Sequence, residues 1–254
     1  MGEWVHLPSF FGTGLFGLFL VLITILIAEI FTKKLTPYVL IGVFCASAIL
    51  MDFLATRFGF VVLSGVPMVI AVGSMFWAIL FLMQDYINEF YGKELAKCAV
   101  YGMFFGKIIA ALAIIWTINI IPNPPFPDLA ATGDMFKTIM AVAPRIAISS
   151  IASSFFAGMF NVWAYDAIRT KTQGKHLWLR NNASSVGGMF IDAVIFTFGS
   201  FMFIVPVSVI ITMIVANLAI KWYTNILDTI FLYTMKYLKE KEFFGIAIGH
   251  HAHD

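Results

Sequence analysis

Residues Trp163–Phe198, WAYDAIRTKTQGKHLWLRNNASSVGGMFIDAVIFTF, decide the fold. An apolar helix ends near Arg169, a basic loop follows, and a second apolar run begins that carries the carboxylate of Asp192 deep inside it. A charge in hydrocarbon is costly, so an intramembrane Asp marks a functional site by default. Within the second run Asn181, Ser184 or Ser185, Gly188 and Asp192 recur at helical spacing. One face of that helix is therefore polar and leads to Asp192, and Gly188 one turn away leaves room beside the carboxylate.

The rest of the chain agrees with an apolar environment. Of its 254 residues 61% are hydrophobic and 12% charged, and the mean hydropathy is +0.92, values that belong to a polytopic membrane protein. The net charge of +2 is spread between apolar runs, so no basic face for nucleic acid is expected. Cys45 and Cys98 lie in or beside apolar runs without ligand spacing and read as small hydrophobes. No HExxH, GxSxG or metal-spaced cluster occurs in the spans, which argues against an enzyme and against a bound metal or cofactor. His250, His251 and His253 belong to a tail read as disordered. The first apolar run follows Glu3 with no basic segment before it, and reads as a retained helix.

A spanning helix needs roughly 20 apolar residues, and the expected fold is all-α with about seven transmembrane helices: 12–32, 36–56, 66–91, 97–121, 137–168, 177–204 and 207–238. The loops on one side carry 11 of the 16 Lys and Arg residues, among them Lys33, Lys93, Arg169, Lys175, Arg180 and Lys239. By the positive-inside rule that side is cytoplasmic, the N-terminus is outside and the C-terminus inside. The prolines of Ile121–Pro127, IPNPPFP, end the fourth span, and 128–143 is too polar to cross a membrane. Pro144 can open the next helix, with Arg145 in its first turn. Gly102 with Gly106, and Gly187–Gly188, suit close helix contacts.

Polar stripes recur on other spans. In FLMQDYINEFYGK, Asp85, Asn88 and Glu89 share a face that Trp77 and Phe81 continue. Asn217, Lys221, Asn225 and Asp228 form another, with Lys221 at the depth of Asp192 and Lys107 of the fourth span at a similar depth. Buried ions usually pair, but here the carboxylates Asp85, Glu89, Asp192 and Asp228 outnumber the midplane cations Lys107 and Lys221. The excess suggests a cavity that accepts a ligand's donors or protons. Such carboxylates suit the paired N–H donors of a guanine-like edge, and Trp77 or Phe196 could stack on a flat base.

Five blocks, in order, resemble the queuosine precursor transporters, also called vitamin uptake transporters: DYINEFYGK (85–93), PRIAISS (144–150), KHLWLRNNASS (175–185), IDAVIF (191–196) and KWYTNILDT (221–229). The resemblance covers about 40–238 and implies a six-helix core similar to the substrate-binding subunits of energy-coupling-factor vitamin transporters. The expected layout is a single transmembrane domain over 1–254: an extra N-terminal helix (12–32), the transporter core (36–238) and a cytoplasmic tail (239–254). Met189 stands where the family commonly has Gln, Asn161 where an Asp is usual, Asp52 where an Asn is expected, and Ile230 where Pro often follows the Asp-Thr pair.

The function so implied is import of a 7-deazaguanine-type queuosine or archaeosine precursor across the cell's cytoplasmic membrane. The residues carried over by the blocks are Asp85, Asn88, Glu89, Arg145, Arg180, Asn181, Asn182, Ser184, Asp192, Lys221 and Asp228. Asp192 and Glu89 lead as acceptors for the base, ahead of Asp85 and Asp228, with Asn88, Asn181, Asn182 and Ser184 orienting it; Lys221, Arg145, Arg180 and Lys107 balance charge or gate. Expected partners are a planar guanine-like base, membrane lipid and a second copy in a homodimer. Two alternatives stand beside this reading: a substrate-capture subunit that needs an ATP-driven partner, and a structural membrane protein whose intramembrane charges only pair.

Overall fold

The chain is described by a computed structural model covering residues 7–63, 66–140 and 143–241. Seven long helices among these overlap the seven expected spans: α1 (Leu7–Thr32), α2 (Thr36–Leu54), α3 (Val72–Tyr91), α4 (Lys93–Ile120), α6 (Ala143–Lys171), α7 (Leu177–Phe201) and α8 (Val207–Glu240). A shorter helix, α5 (Pro127–Met140), lies in the connection between α4 and α6. Four of the helices, α2, α4, α6 from Arg145 and α7, are long and apolar enough to cross a membrane, and shorter apolar stretches run through Phe19–Thr32 and Val207–Ala219. The histidines of the tail lie outside the described residues.

Burial is inverted relative to a water-soluble protein. Phe31 (78%), Ile109 (69%) and Ile148 (69%) are exposed, as are Trp163 and Phe190, while Asp85, Asn161, Asn181, Ser185, Asn225 and Asp228 are fully buried. A large apolar surface around a polar interior is what lipid selects, because hydrocarbon solvates Leu and Phe but no amide or charge. The chain is a predominantly helical, multi-pass membrane protein.

Two expectations are corrected. The helical fold carries one strand pair, and the third span does not begin at residue 66: Phe58–Leu63 (β1) and Val66–Ala71 (β2) form an antiparallel pair, in register from Phe58 opposite Ala71 to Leu63 opposite Val66. The reason is local. FGFVVL and VPMVIA are rich in aromatic and β-branched residues and are separated by Ser64-Gly65, a strand–turn–strand composition. Helix α3 starts at Val72, and Gly73 lets it pack on the end of α2, since a Cβ there would lie 2.1 Å from the Met51 carbonyl oxygen. The fifth span begins at Ala143, not 137, because 127–140 forms the separate helix α5.

The small-residue contacts take the expected form. A Cβ on Gly102 would meet Cys45 Sγ at 3.0 Å and one on Gly106 would meet Ile49 at 3.4 Å, so both glycines bring α4 onto α2. Gly187 faces Phe160 of α6, and Gly188 faces both Phe81 of α3 and the Ala157 carbonyl of α6. Helices α6 and α7 thereby pack along much of their length. Gly92 carries the chain from α3 into α4 at φ +92°, a conformation that a side chain would strain.

The helix ends sort into two layers. One contains the ends of α1, α3, α6 and α8 with the starts of α4 and α7, and holds most of the Lys and Arg residues; it is called the basic end here. At the opposite end Arg145, in the first turn of α6, donates from Nε to the Gly199 carbonyl (2.8 Å) and from its guanidinium to that of Met202 (2.5 Å). These contacts satisfy carbonyls that the end of α7 leaves open.

Candidate functional site

The polar stripes of α3, α6, α7 and α8 meet in the interior. The carboxylate of Asp85 is fully buried and accepts from Asn161 Nδ2 at 2.7 Å and from Ser185 Oγ at 2.9 Å. Both partners are neutral, and among the described residues no cation lies within salt-bridge distance of it. Gln84, its neighbour on α3, donates to the Gly158 carbonyl at 2.9 Å and accepts weakly from Asn161 at 3.5 Å. Asn88 donates to the Val162 carbonyl at 3.4 Å, tying α3 to α6 one turn further on.

The remaining interior charges are matched differently. Asp192 Oδ2 lies 2.5 Å from Lys221 Nζ, both side chains nearly sealed from solvent. Glu89 receives two guanidinium contacts from Arg180, 2.7 Å at Oε1 and 3.1 Å at Oε2, plus the Tyr165 hydroxyl at 2.9 Å. Arg180 also donates to the carbonyls of Gly174 and Lys175, fixing the loop before α7. A planar fork closing on a carboxylate is the strongest ionic geometry side chains offer. Lys107 donates to Asp52 Oδ1 (3.0 Å) and Ser150 Oγ (2.8 Å), with the Trp77 ring 4.6 Å from its ammonium. A cavity opens beside this pair, lined by Ile49, Asp52, Phe53, Lys107, Ala110 and Met140 among others.

Where α7 meets α8 the groups are mostly amides. Asn181 Nδ2 donates to Asp228 Oδ1 and to Thr229 Oγ1, both at 2.9 Å. Asn182 Nδ2 donates to Thr229 Oγ1 at 2.8 Å, and Asn225 Nδ2 to Asn182 Oδ1 at 3.0 Å. Ser184 spends its hydroxyl within its own helix, on the Arg180 carbonyl at 2.6 Å. Asn217, on the same face of α8, is buried with a free carbonyl oxygen.

The expected site residues thus divide. Asp85, Asn88, Glu89, Arg180, Asn181, Asn182 and Asp228 line one continuous polar region with Tyr165, Asn161 and Ser185. The Asp192–Lys221 pair lies further along α7 and α8. Trp77 stands over Lys107. Phe196 packs with Phe201, Ile210 and Met213 in an apolar cluster of its own, and its ring centroid is 6.3 Å from that of Phe201. Arg145 is exposed at the far end. Met189 joins Phe81 and Ala157 in a buried apolar cluster flanked by Trp77, Ile191 and Leu218.

Sequence reading puts Asn225 and Ser185 on their polar stripes but not among the site residues, notes Asn161 only as a departure from the resembled family, and misses Gln84 and Thr229. These five carry no charge, so the cost-of-burial argument that flags an Asp does not flag them; helical spacing from Asp228 reaches Asn225, and spacing from Asp192 reaches Ser185. Asn161 has no such cue, because its partner Asp85 is on another helix.

The family described as "Putative vitamin uptake transporter" matches residues 71–235, the stretch from the end of β2 to the last turns of α8. The chain is 27% identical over 166 residues to a protein of Bacillus subtilis (strain 168) named "Probable queuosine precursor transporter", covering 65% of this chain and 71% of that one. No solved structure matches. The matched stretch contains the polar stripes of α3, α6, α7 and α8, from Asp85 to Thr229, and the chain belongs to the vitamin uptake transporter family.

Proposed function

We propose that the chain imports a 7-deazaguanine-type queuosine or archaeosine precursor base, held in the polar interior beside Asp85. The observation that carries this reading is the state of that carboxylate: it is fully buried and bonded only to the amide of Asn161 and the hydroxyl of Ser185. Asp192 and Glu89 already face Lys221 and Arg180. Asp85 therefore has acceptor capacity left for the paired N–H donors of a guanine edge, with Asp228 as the second such carboxylate. Asn88, Asn161 and Asn181 supply neutral groups to orient the base, and the name of the Bacillus subtilis relative supports the substrate class.

In this reading α2, α3, α4, α6, α7 and α8 make a six-helix core like that of the substrate-binding subunits of energy-coupling-factor transporters, and α1 is an added helix. The basic end faces the cytoplasm, in keeping with the positive-inside rule. Lys221, Arg180, Lys107 and Arg145 hold charges and helix ends rather than the base.

The test is uptake of labelled 7-deazaguanine bases by salvage-deficient cells expressing the chain. Asp85→Asn is expected to abolish uptake while the protein still reaches the membrane; undiminished uptake would overturn the assignment. Reconstitution of the chain alone in liposomes separates a self-sufficient transporter, which accumulates or equilibrates the base, from a capture subunit, which only binds it.

A further inference from the structure

The network between α7 and α8 is one-sided. Every amide Nδ2 in it is in use: Asn181 on Asp228 and Thr229, Asn182 on Thr229, and Asn225 on Asn182. Three oxygens in the same network, Asn181 Oδ1, Asn225 Oδ1 and Asp228 Oδ2, have no partner, and all three residues are fully buried. The amide orientations are fixed by the bonds themselves: Asn182 turns its NH2 to the Trp178 carbonyl, which can only accept, so its oxygen takes the NH2 of Asn225, and Asn181 turns its NH2 to Asp228 and Thr229. What remains is acceptor capacity alone, around a carboxylate with no cation within salt-bridge distance among the described residues. Buried polar groups in this state call for a ligand, ion or water.

A bound water would supply two donors to three open oxygens and no positive charge beside the Asp228 carboxyl. A cation answers both demands. Carboxylate, amide carbonyl and hydroxyl oxygens are hard ligands. A divalent ion is a poorer match: among the described residues no group of three His, Cys, Asp or Glu side chains is gathered. We propose that the α7–α8 seam binds a small alkali cation of sodium's kind, with Asp228, Asn181 and Asn225 as side-chain ligands and the Thr229 hydroxyl beside them. The site shares helix α7 with Ser185, the partner of Asp85, which is where an ion would have to sit for its binding to bias the groups around Asp85. The cation site goes beyond the base-binding reading: it uses Asp228 and Asn181, which that reading also places near the base, but it requires no bound base.

The experiment uses purified full-length chain in detergent with no base present. Its thermal midpoint is measured in NaCl and in choline chloride at equal ionic strength and pH, and binding of radioactive sodium is measured by equilibrium dialysis. The expected result is a saturable, sodium-specific rise in the midpoint and one sodium bound per chain. Asn225→Ala should weaken sodium binding roughly tenfold or more, and Asp228→Asn should remove the sodium-specific rise. Identical midpoints in the two salts with no sodium bound by the unaltered chain would overturn the proposal, and this readout needs no variant to fold. A midpoint that follows pH but not sodium would also overturn it, by assigning the seam to a proton. Base uptake could fail while sodium binding stands, or the reverse, so the two readings fall separately.

Discussion

Lys221 Nζ lies 2.5 Å from Asp192 Oδ2, with both side chains almost fully buried. The residue that looks most like a lone charge in the sequence is thus the more completely neutralised carboxylate, and Asp85, six residues before the end of α3, is left with neutral partners, as is Asp228. Attraction between Lys221 and Asp192 offsets the cost of taking both from water only while both are present.

Asp192→Asn is therefore expected to destabilise the chain by about 3–5 kcal/mol, through the uncompensated ammonium of Lys221. The paired change Asp192→Asn with Lys221→Met should recover most of that loss. Thermal unfolding in detergent measures both. Equal stability of the single and double variants would show that the pair is not coupled.

Arg180→Lys keeps the charge but replaces a planar fork with a point donor. Contacts to Glu89 Oε1 and Oε2 and to the carbonyls of Gly174 and Lys175 cannot all be retained. A loss of about 1–3 kcal/mol is expected from the acceptors left open. Proteolysis should become faster in the loop 172–176, since Arg180 is what ties that loop to the bundle. Unchanged cleavage there would contradict the tie.

Gly188→Ala would put a Cβ 2.9 Å from Phe81 Cε1 and 3.2 Å from the Ala157 carbonyl oxygen. The ring can turn but the carbonyl cannot, so a cost of about 1–3 kcal/mol is expected from overpacking. Combining it with Phe81→Leu should relieve part of the cost. A strictly additive double variant would show that the ring is not the obstacle.

Asp85→Asn leaves the shape of the side chain and removes its charge. A charged acceptor is worth about 1.5–3 kcal/mol to its donor, so affinity for a base with paired N–H donors should fall about tenfold or more. Stability should be little changed, because Asn161 can still donate to the amide oxygen and the Ser185 hydroxyl can accept from the amide NH2. Isothermal titration with a 7-deazaguanine base tests the first statement and a thermal scan the second.

Hydropathy located the helices because each long apolar run has to satisfy its own backbone, and the basic loops, the glycine contacts and the Asp192–Lys221 depth match were legible from spacing. The β1–β2 pair was not, since a run of apolar residues leading into α3 has the same hydropathy whether it coils or pairs; only the Ser64-Gly65 break and the β-branched composition distinguished the two. In the site, the charged members were visible and their partners were not. The sequence shows that Asp85, Glu89, Asp192 and Asp228 exceed the midplane cations Lys107 and Lys221, but Arg180, counted there with the basic loop, reaches back to Glu89, and Lys107 is held by Asp52 on α2. Which carboxylate stays free is a property of packing between helices. Met189 shows the same limit: its departure from a family Gln is visible in the sequence, whereas its place against Phe81 and Ala157 requires the fold.

The carboxylate of Glu29, near the end of α1, receives the hydroxyls of Tyr86 and Tyr91 from α3 and lies 2.8 Å from Lys239 Nζ at the end of α8. Helix α1 precedes the stretch matched by the family, yet three of its neighbours there belong to the core or its final turn. Related chains that lack an acid at the end of this helix are expected to have exchanged Lys239 and the two tyrosines together, which would be read as covariation at 29, 86, 91 and 239.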